Sequence, residues 1–321
     1  MISSLRYRER AGFNIASLDK LNTLFKELEP FLKILLLKGI SLLNTVYACD
    51  IGARHLGDVD ILVRKKDFPR LKKTLHDKGY LFNNNITRPL DTCYLNSATC
   101  AKEDKFCPPF HIHWHLSNAA FSTALFSPRI NLEKIWQEAE PLSGFKNVWI
   151  MSSHHQLIHL GEHALKHSYD RPYLLEDIQR VIEYYQRNLC WEKLIVDAKA
   201  FNLTRPLYHS LHFAADMRGA RVPARVLSSL KPERFSFLEK RFIAAVRKGK
   251  RSERLSGIVY LEMNKTCLDK VSYVWRTFFP PVKMMAQFRN SSGLKRLNPI
   301  DYCRRAYKGL NYFLDIGRCL F

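Results

Sequence analysis

The sequence lacks a long apolar run, and none approaches the roughly 18 residues that a membrane-spanning helix needs. Its first residues carry charges but not the apolar segment found in a secretory signal peptide. We therefore expect a cytoplasmic protein with no transmembrane span. There is also no internal repeat and no low-complexity tract, which argues against repeat and disordered architectures.

Paired cysteines are missing as well. Eight cysteines are scattered over 321 residues and none forms a C-x-x-C pair, so we expect reduced thiols rather than a disulfide framework. Cys93, Cys100 and Cys107 recur every seven residues near three histidines. The short spacing typical of zinc ligands is absent, and a zinc site there is the less favoured interpretation.

Acidic residues are few. The chain has 30 of them against 51 Lys and Arg, which gives a formal net charge of +21. Such an excess concerns partners and association rates rather than the fold. It favours an anionic partner, and nucleotide phosphates, RNA, anionic lipid and phosphorylated carriers all remain open.

The order of apolar segments predicts an α/β (α+β) N-terminal domain with a small mixed sheet. We expect a first helix from Ser17, which would cap it, to Leu32. The segments that follow are strand Ile34–Leu37, helix Ile40–Tyr47, strand Val59–Val63, helix Asp67–Lys78 and a hairpin of Cys93–Cys100 with Phe106–Leu116.

The pattern becomes almost wholly helical after about residue 150. We expect the α/β domain to comprise 1–150 and an all-helical second domain to comprise 151–255. The remaining 256–321 form a basic helical tail with interleaved aromatic residues, among them Trp275 and Phe278. This tail suits an anionic membrane surface or RNA, or its helices simply cover the second domain.

Two aspartates open the second predicted strand. Asp58 and Asp60 share one face because side chains alternate along a strand. Two neighbouring carboxylates repel each other unless a cation lies between them, and Mg²⁺ binds carboxylates together with substrate phosphates. The competing interpretation is a pair of solvated aspartates at the mouth of an edge strand. D-x-D alone is a weak signal.

The surroundings of the pair favour a phosphate site. Lys38-Gly39 ends the first strand and leads into a helix whose N-terminus suits phosphate, and Gly39 permits close approach of the backbone. Lys38 supplies a point charge, and Arg54 offers a bidentate guanidinium. The competing interpretation makes Lys38 and Arg54 ordinary surface residues.

As an ordered set, these residues resemble the polymerase-beta-like nucleotidyltransferase superfamily, and more narrowly its bacterial branch of uncharacterised nucleotidyltransferases. The resemblance runs from about residue 30 to 185. Its elements are Leu37-Lys38-Gly39, Tyr47, Arg54, Asp58 to Val63, Asp67, Leu75 to Tyr80, Ile112 to Leu116, His163, Lys166 and Leu175 to Ile178.

The resemblance implies transfer of a nucleoside monophosphate from an NTP to an acceptor, with release of pyrophosphate and with Mg²⁺ or Mn²⁺ as cofactor. Asp58 and Asp60 would bind the metal. A further set, Lys38, Gly39, Arg54, Lys166 and His163, would bind the nucleotide or its phosphates. The acceptor stays unidentified: a small molecule, a saccharide, a protein or RNA.

One position departs from the family pattern. The superfamily supplies a third carboxylate from a neighbouring strand, and here that position is His111. His111 would act as a general base, ligate a metal such as Mn²⁺ or Zn²⁺, or mark a site that binds nucleotide without reacting. His111, His113 and His115 share one strand face, which is equally typical of a solvated polar stripe. Alternative functions are therefore a catalytically impaired nucleotide-binding protein and an RNA-directed nucleotidyltransferase.

Overall fold

The computed structural model describes residues 4–28, 32–82, 96–117, 129–250, 252, 254–280, 285 and 299–320. Backbone contacts divide the chain into two units, which are described separately. Unit 1 combines Met1–Asn118 with Leu132–Ser152, and unit 2 combines Ala119–Asn131 with Ser153–Phe321. The division into domains 1–150, 151–255 and 256–321 stays a prediction.

Unit 1 carries a sheet and four described α-helices. The helices are α1 (Ser4–Leu28), α2 (Lys38–Leu43), α3 (Phe68–Asp77) and α4 (Leu132–Gln137). The strands are β1 (Ile34–Leu36), β2 (Val59–Leu62), β3 (Leu81–Phe82), β4 (Ser97–Ala101), β5 (Phe110–His113), β6 (Glu140–Pro141) and β7 (Val148–Ile150). A 3-10 turn, Lys65–Asp67, leads into α3.

The sheet is mixed, as predicted, and its seven described strands lie in the order β3-β4-β5-β2-β1-β7-β6. Strand β2 pairs parallel with β5 and antiparallel with β1, and β1 pairs parallel with β7. Every residue of β1 and β2 is buried. Central strands that are covered on both faces consist of nearly continuous apolar residues. Both strands can therefore be recognised in the sequence.

The first helix is longer than predicted. It begins at Ser4 rather than Ser17, and Ser17 lies buried inside it instead of capping it. The early part of the buried face is formed by polar Asn14 and Ser17 rather than by apolar residues. Hydrophobic periodicity therefore does not show the true start.

The predicted hairpin is present in shorter form. Strands β4 and β5 pair antiparallel, with Thr99 opposite His111 and Ser97 opposite His113. The connection is longer than the predicted four-residue turn, because β4 ends at Ala101 and β5 begins at Phe110. Cys93, where the first strand was expected to start, lies outside the described residues.

From Ser153 onward, the regular elements that the structure describes in unit 2 are all helices. Its helices are α5 (Ser153–Lys166), α6 (Pro172–Tyr184), α7 (Trp191–Ala200), α8 (Thr204–Arg218), α9 (Ala224–Leu230), α10 (Phe237–Arg247), α11 (Ser256–Glu262), α12 (Cys267–Phe278) and α13 (Pro299–Leu320). Nearly every residue of α5 is buried, and this helix packs against α6, α7 and α8. Among the described helices, none has the length and apolar character needed to cross a bilayer.

The two terminal helices pack on each other. The Phe278 ring of α12 stacks on the Phe313 ring of α13 with centroids 5.4 Å apart. Helix α13 also contacts α10, where an Arg241 guanidinium nitrogen donates to the Leu320 carbonyl at 2.5 Å. Trp275 stays 61% exposed. Burial of part of the tail agrees with terminal helices that cover unit 2, and the membrane or RNA role stays a prediction.

A pair of glycine substitutions tests this packing. A Cβ added at Gly309 would lie 2.8 Å from the Phe278 ring, whereas one at Gly317 on the same helix meets nothing within 4 Å. We expect Gly317→Ala to stabilise the protein by up to about 1 kcal/mol through helix propensity. Gly309→Ala should instead destabilise it by about 1–3 kcal/mol through overpacking. Urea unfolding of both variants measures the difference, and equal stabilisation by both would show that α12 and α13 do not pack closely.

Candidate functional site

Three side chains converge on one oxygen of Asp60. The Lys38 ammonium lies 2.7 Å from Asp60 Oδ1. The other two are His113, whose Nε2 lies 2.9 Å from the same oxygen, and His111, whose Nδ1 lies 3.3 Å from it. Asp60 is only 2% exposed. A carboxylate this deeply buried requires cationic or hydrogen-bonding partners, which these three side chains provide.

Strand register explains the convergence. Asp60 pairs directly with His111 on β5, and His113 lies two residues further along the same strand. Residues at i and i+2 point to one face, so both imidazoles project on the side of Asp60. Their ring centroids are 4.0 Å apart. His111 and His113 therefore do not form a solvated stripe. His115, past the end of β5, instead contacts Ser117.

The electrostatics of Asp60 favour its ionised form. Burial raises the pKa of this carboxyl, but the Lys38 charge and the hydrogen bonds from His111 and His113 outweigh burial and hold the pKa well below its usual range. Burial lowers the pKa of His113 to about 3, so its imidazole is neutral at physiological pH. Its Nε2–H donates to the carboxylate, which leaves a lone pair on Nδ1. Among the described residues, this buried Nδ1 has no hydrogen-bond partner.

Asp58 lies just before β2 and is exposed. Desolvation by the surrounding protein and the charge of Asp60 raise the pKa of its carboxyl, while Lys38 acts in the opposite direction. The two carboxylates therefore repel each other, as the sequence predicted for this pair. The role of Asp58 as a metal ligand stays a prediction.

The backbone position and conformation of Lys38 allow its side chain to reach Asp60. Only Leu37 separates Lys38 from β1, and the Leu37 N–H donates to the Asp60 carbonyl at 3.0 Å. Lys38 itself adopts a φ of 47°, in the left-handed region that few residues other than glycine occupy. Strained backbone of this kind clusters at functional sites, because the surrounding structure must hold it in place.

Arg54 lies beside the Lys38-Gly39 turn. Its Nη2 would lie 3.7 Å from a Cβ added at Gly39, and its Nη1 donates to the His55 carbonyl at 2.7 Å. The added Cβ would make only ordinary contacts, so space alone does not require a glycine there. The charge of Arg54 also opposes the rise in the pKa of Asp58. The two side chains are therefore close enough to interact.

Asn14 shapes the loop that carries Arg54. Its Nδ2 donates to the carbonyls of Ile51 at 2.7 Å and Arg54 at 2.6 Å, and its Oδ1 accepts from the Leu56 N–H at 3.1 Å. Asn14 is fully buried. Sequence reasoning missed this residue, since an asparagine inside a helix gives no signal that it binds a loop 37 to 42 residues away.

The donors around Asp60 fit a divalent cation. One oxygen of Asp60 and one ring nitrogen each of His111 and His113 lie within 4.8 Å of one another. Asp58 lies outside this group. A set of one carboxylate and two imidazoles suits Mn²⁺ or Zn²⁺ better than Mg²⁺, which prefers oxygen donors. Sequence reasoning considered His111 as a ligand but missed His113, whose parity with His111 was the available signal.

The remaining predicted residues lie elsewhere. Trp114 is buried against Phe68, with ring centroids 4.6 Å apart, as expected of a core residue. His163 and Lys166 belong to α5 of unit 2, where the His163 ring contacts the His167 ring at 4.7 Å. Their roles in nucleotide binding stay predictions.

Unit 1 thus presents a cluster of one carboxylate and two imidazoles on a mixed sheet, with the Lys38 ammonium in contact with the carboxylate. A family model described as an uncharacterised nucleotidyltransferase matches residues 4–219. The chain belongs to this family of uncharacterised nucleotidyltransferases. Searches of curated proteins and of solved structures found no significant match.

Proposed function

We propose that this protein transfers a nucleoside monophosphate from an NTP to an acceptor and releases pyrophosphate, using a divalent cation held at Asp60. The observation that carries the proposal is the position of His111 on β5, directly opposite Asp60, with its Nδ1 3.3 Å from Asp60 Oδ1. The resemblance to the superfamily implies a third carboxylate at this position. The contact of His111 with Asp60 supports its acting in place of that carboxylate.

His111 acts in this proposal as a metal ligand. Its Nδ1 faces Asp60, while its Nε2 lies 3.2 Å from the Ser97 hydroxyl, a contact that fixes the orientation of the ring. Such outer contacts orient ligating histidines. When bound, the cation would neutralise charge on the phosphates and on the leaving pyrophosphate.

The two basic residues bind the triphosphate. When no cation is bound, Lys38 pairs with Asp60. If a cation bound the carboxylate, the flexible Lys38 side chain would allow its ammonium to turn to a phosphate oxygen. Arg54 offers a planar fork suited to phosphate. The pKa of Asp58 is raised by burial and by the charge of Asp60. A bound cation would offset the repulsion between the two carboxylates and so stabilise the ionised form of Asp58.

A substitution at His111 tests its assigned role. We expect wild-type protein to bind NTP more tightly with Mn²⁺ than with Mg²⁺, because imidazole donors disfavour Mg²⁺. His111→Asp should shift the Mn²⁺/Mg²⁺ affinity ratio toward Mg²⁺ by about 10-fold or more. Calorimetric titration in each metal gives this ratio.

The matched control is His115→Asp, which introduces the same carboxylate at a histidine outside the cluster. It should leave the ratio unchanged. An unaltered ratio in His111→Asp, with the protein folded, would show that His111 is not a ligand.

One observation favours a second candidate, a protein that binds nucleotide without reacting. Asp60 Oδ1 already has three close partners, and Lys38 alone neutralises its charge. A site that is complete without a metal would bind NTP equally well in EDTA. Metal-independent NTP binding without pyrophosphate release would favour this candidate over the enzyme.

A further inference from the structure

A second cluster of metal-ligating side chains lies within unit 2, remote in sequence from Asp60. His154 and His155 are at the start of α5, and Asp197 is on α7. All three are buried, with exposures of 2–3%. Both imidazoles face the same carboxylate oxygen: Asp197 Oδ2 lies 3.3 Å from His154 Nε2 and 3.1 Å from His155 Nε2.

The convergence of two consecutive helical residues is unusual. Side chains at i and i+1 of an α-helix point in different directions and do not face each other. Here the His154 and His155 rings nevertheless lie 4.2 Å apart and direct both Nε2 atoms at Asp197. Packing of a helix face does not require both rings to turn toward one carboxylate. Binding of one ion by all three groups would require it.

The spacing matches a tetrahedral ion. Zn²⁺ binds imidazole nitrogen and carboxylate oxygen at about 2.0–2.1 Å, which places neighbouring ligand atoms about 3.3 Å apart in a tetrahedral site. The two measured nitrogen–oxygen separations are 3.3 and 3.1 Å.

We propose that His154, His155 and Asp197 form a zinc site in unit 2, separate from the Asp60 site. Two imidazoles and one carboxylate are donors that Zn²⁺ accepts. Burial of the three side chains implies a structural role. The ion would connect the first turn of α5 to α7, so that its binding free energy adds to the stability of the helical unit.

Neighbouring contacts support this assignment. The His155 ring stacks on Phe201, with centroids 6.1 Å apart and an interplanar angle of 21°, so an apolar side chain covers the cluster on that side. Apolar surroundings strengthen the attraction of a cation to a buried carboxylate.

The zinc content of the purified full-length protein, measured after dialysis against Zn²⁺, tests the proposal. The measurement is made in Asp60→Asn protein, which lacks the carboxylate of the other cluster. The zinc bound by this protein therefore reports on unit 2. We expect about one Zn²⁺ per chain in this background and none after the further change Asp197→Asn. Asp216→Asn, an exposed aspartate of the same unit, should retain the ion. Equal zinc in the Asp197→Asn and Asp216→Asn proteins would overturn the proposal.

A second variant remains informative if Asp197→Asn does not fold. Asp197→Cys keeps an ionisable donor at the same position. With Co²⁺ in place of Zn²⁺, we expect a thiolate-to-cobalt charge-transfer band in this variant that the wild-type protein lacks. Such a band requires direct coordination and not merely folding. Its absence from folded Asp197→Cys protein would overturn the proposal.

Discussion

Replacing Asp60 with asparagine is expected to weaken metal-dependent NTP binding by about 100-fold or more, since even outer contacts of a metal ligand are worth about 10–100-fold. The amide keeps the shape of the side chain but removes the charge that three partners share. Calorimetry with Mn²⁺ measures the loss. Pyrophosphate release should fall with it.

Asp104→Asn is the control for this prediction. Asp104 belongs to the same unit and pairs with Lys20 on the surface, at 2.5 Å. Its neutralisation should leave NTP affinity unchanged. If folded Asp60→Asn protein bound NTP as tightly as Asp104→Asn protein, then Asp60 would not hold the cation.

Replacing Glu239 with alanine is expected to cost unit 2 about 3–5 kcal/mol, as when one partner of a buried charged network is removed. Glu239 is fully buried on α10. It accepts from Arg205 Nε at 2.9 Å and from His209 Nε2 at 2.8 Å. Both partners would lose their acceptor, and His209 has no solvent contact through which water could replace it. Urea unfolding measures the change.

Glu192→Ala provides the comparison. Glu192 pairs with Arg225 at 2.8 Å, but both side chains are largely exposed. Exposed pairs of this kind contribute little, so the free energy of unfolding should change within experimental error. Similar losses in the Glu239 and Glu192 variants would show that the Arg205–Glu239–His209 network does not stabilise the fold.

The centre of the sheet could be predicted from the sequence. Strands β1 and β2 are short and mostly apolar segments, and their burial on both faces gives nearly continuous apolar runs in the sequence. Strand parity also placed Asp58 and Asp60 together. Burial raises the pKa of Asp58, and the charge of Asp60 raises it further, as the shared face of the two residues leads us to expect.

Other features depend on register and packing that no local pattern records. His113 contacts Asp60 only because β5 pairs parallel with β2 at one particular register. Asn14 binds a loop far along the chain. The His154–His155–Asp197 cluster joins residues 42 or more positions apart.

The most direct test of the account is calorimetric titration of the wild-type protein with each of the four NTPs, in EDTA and then with Mg²⁺ or Mn²⁺. The account predicts NTP binding that requires the divalent ion and is tighter with Mn²⁺. Absence of NTP binding under every metal condition would contradict it.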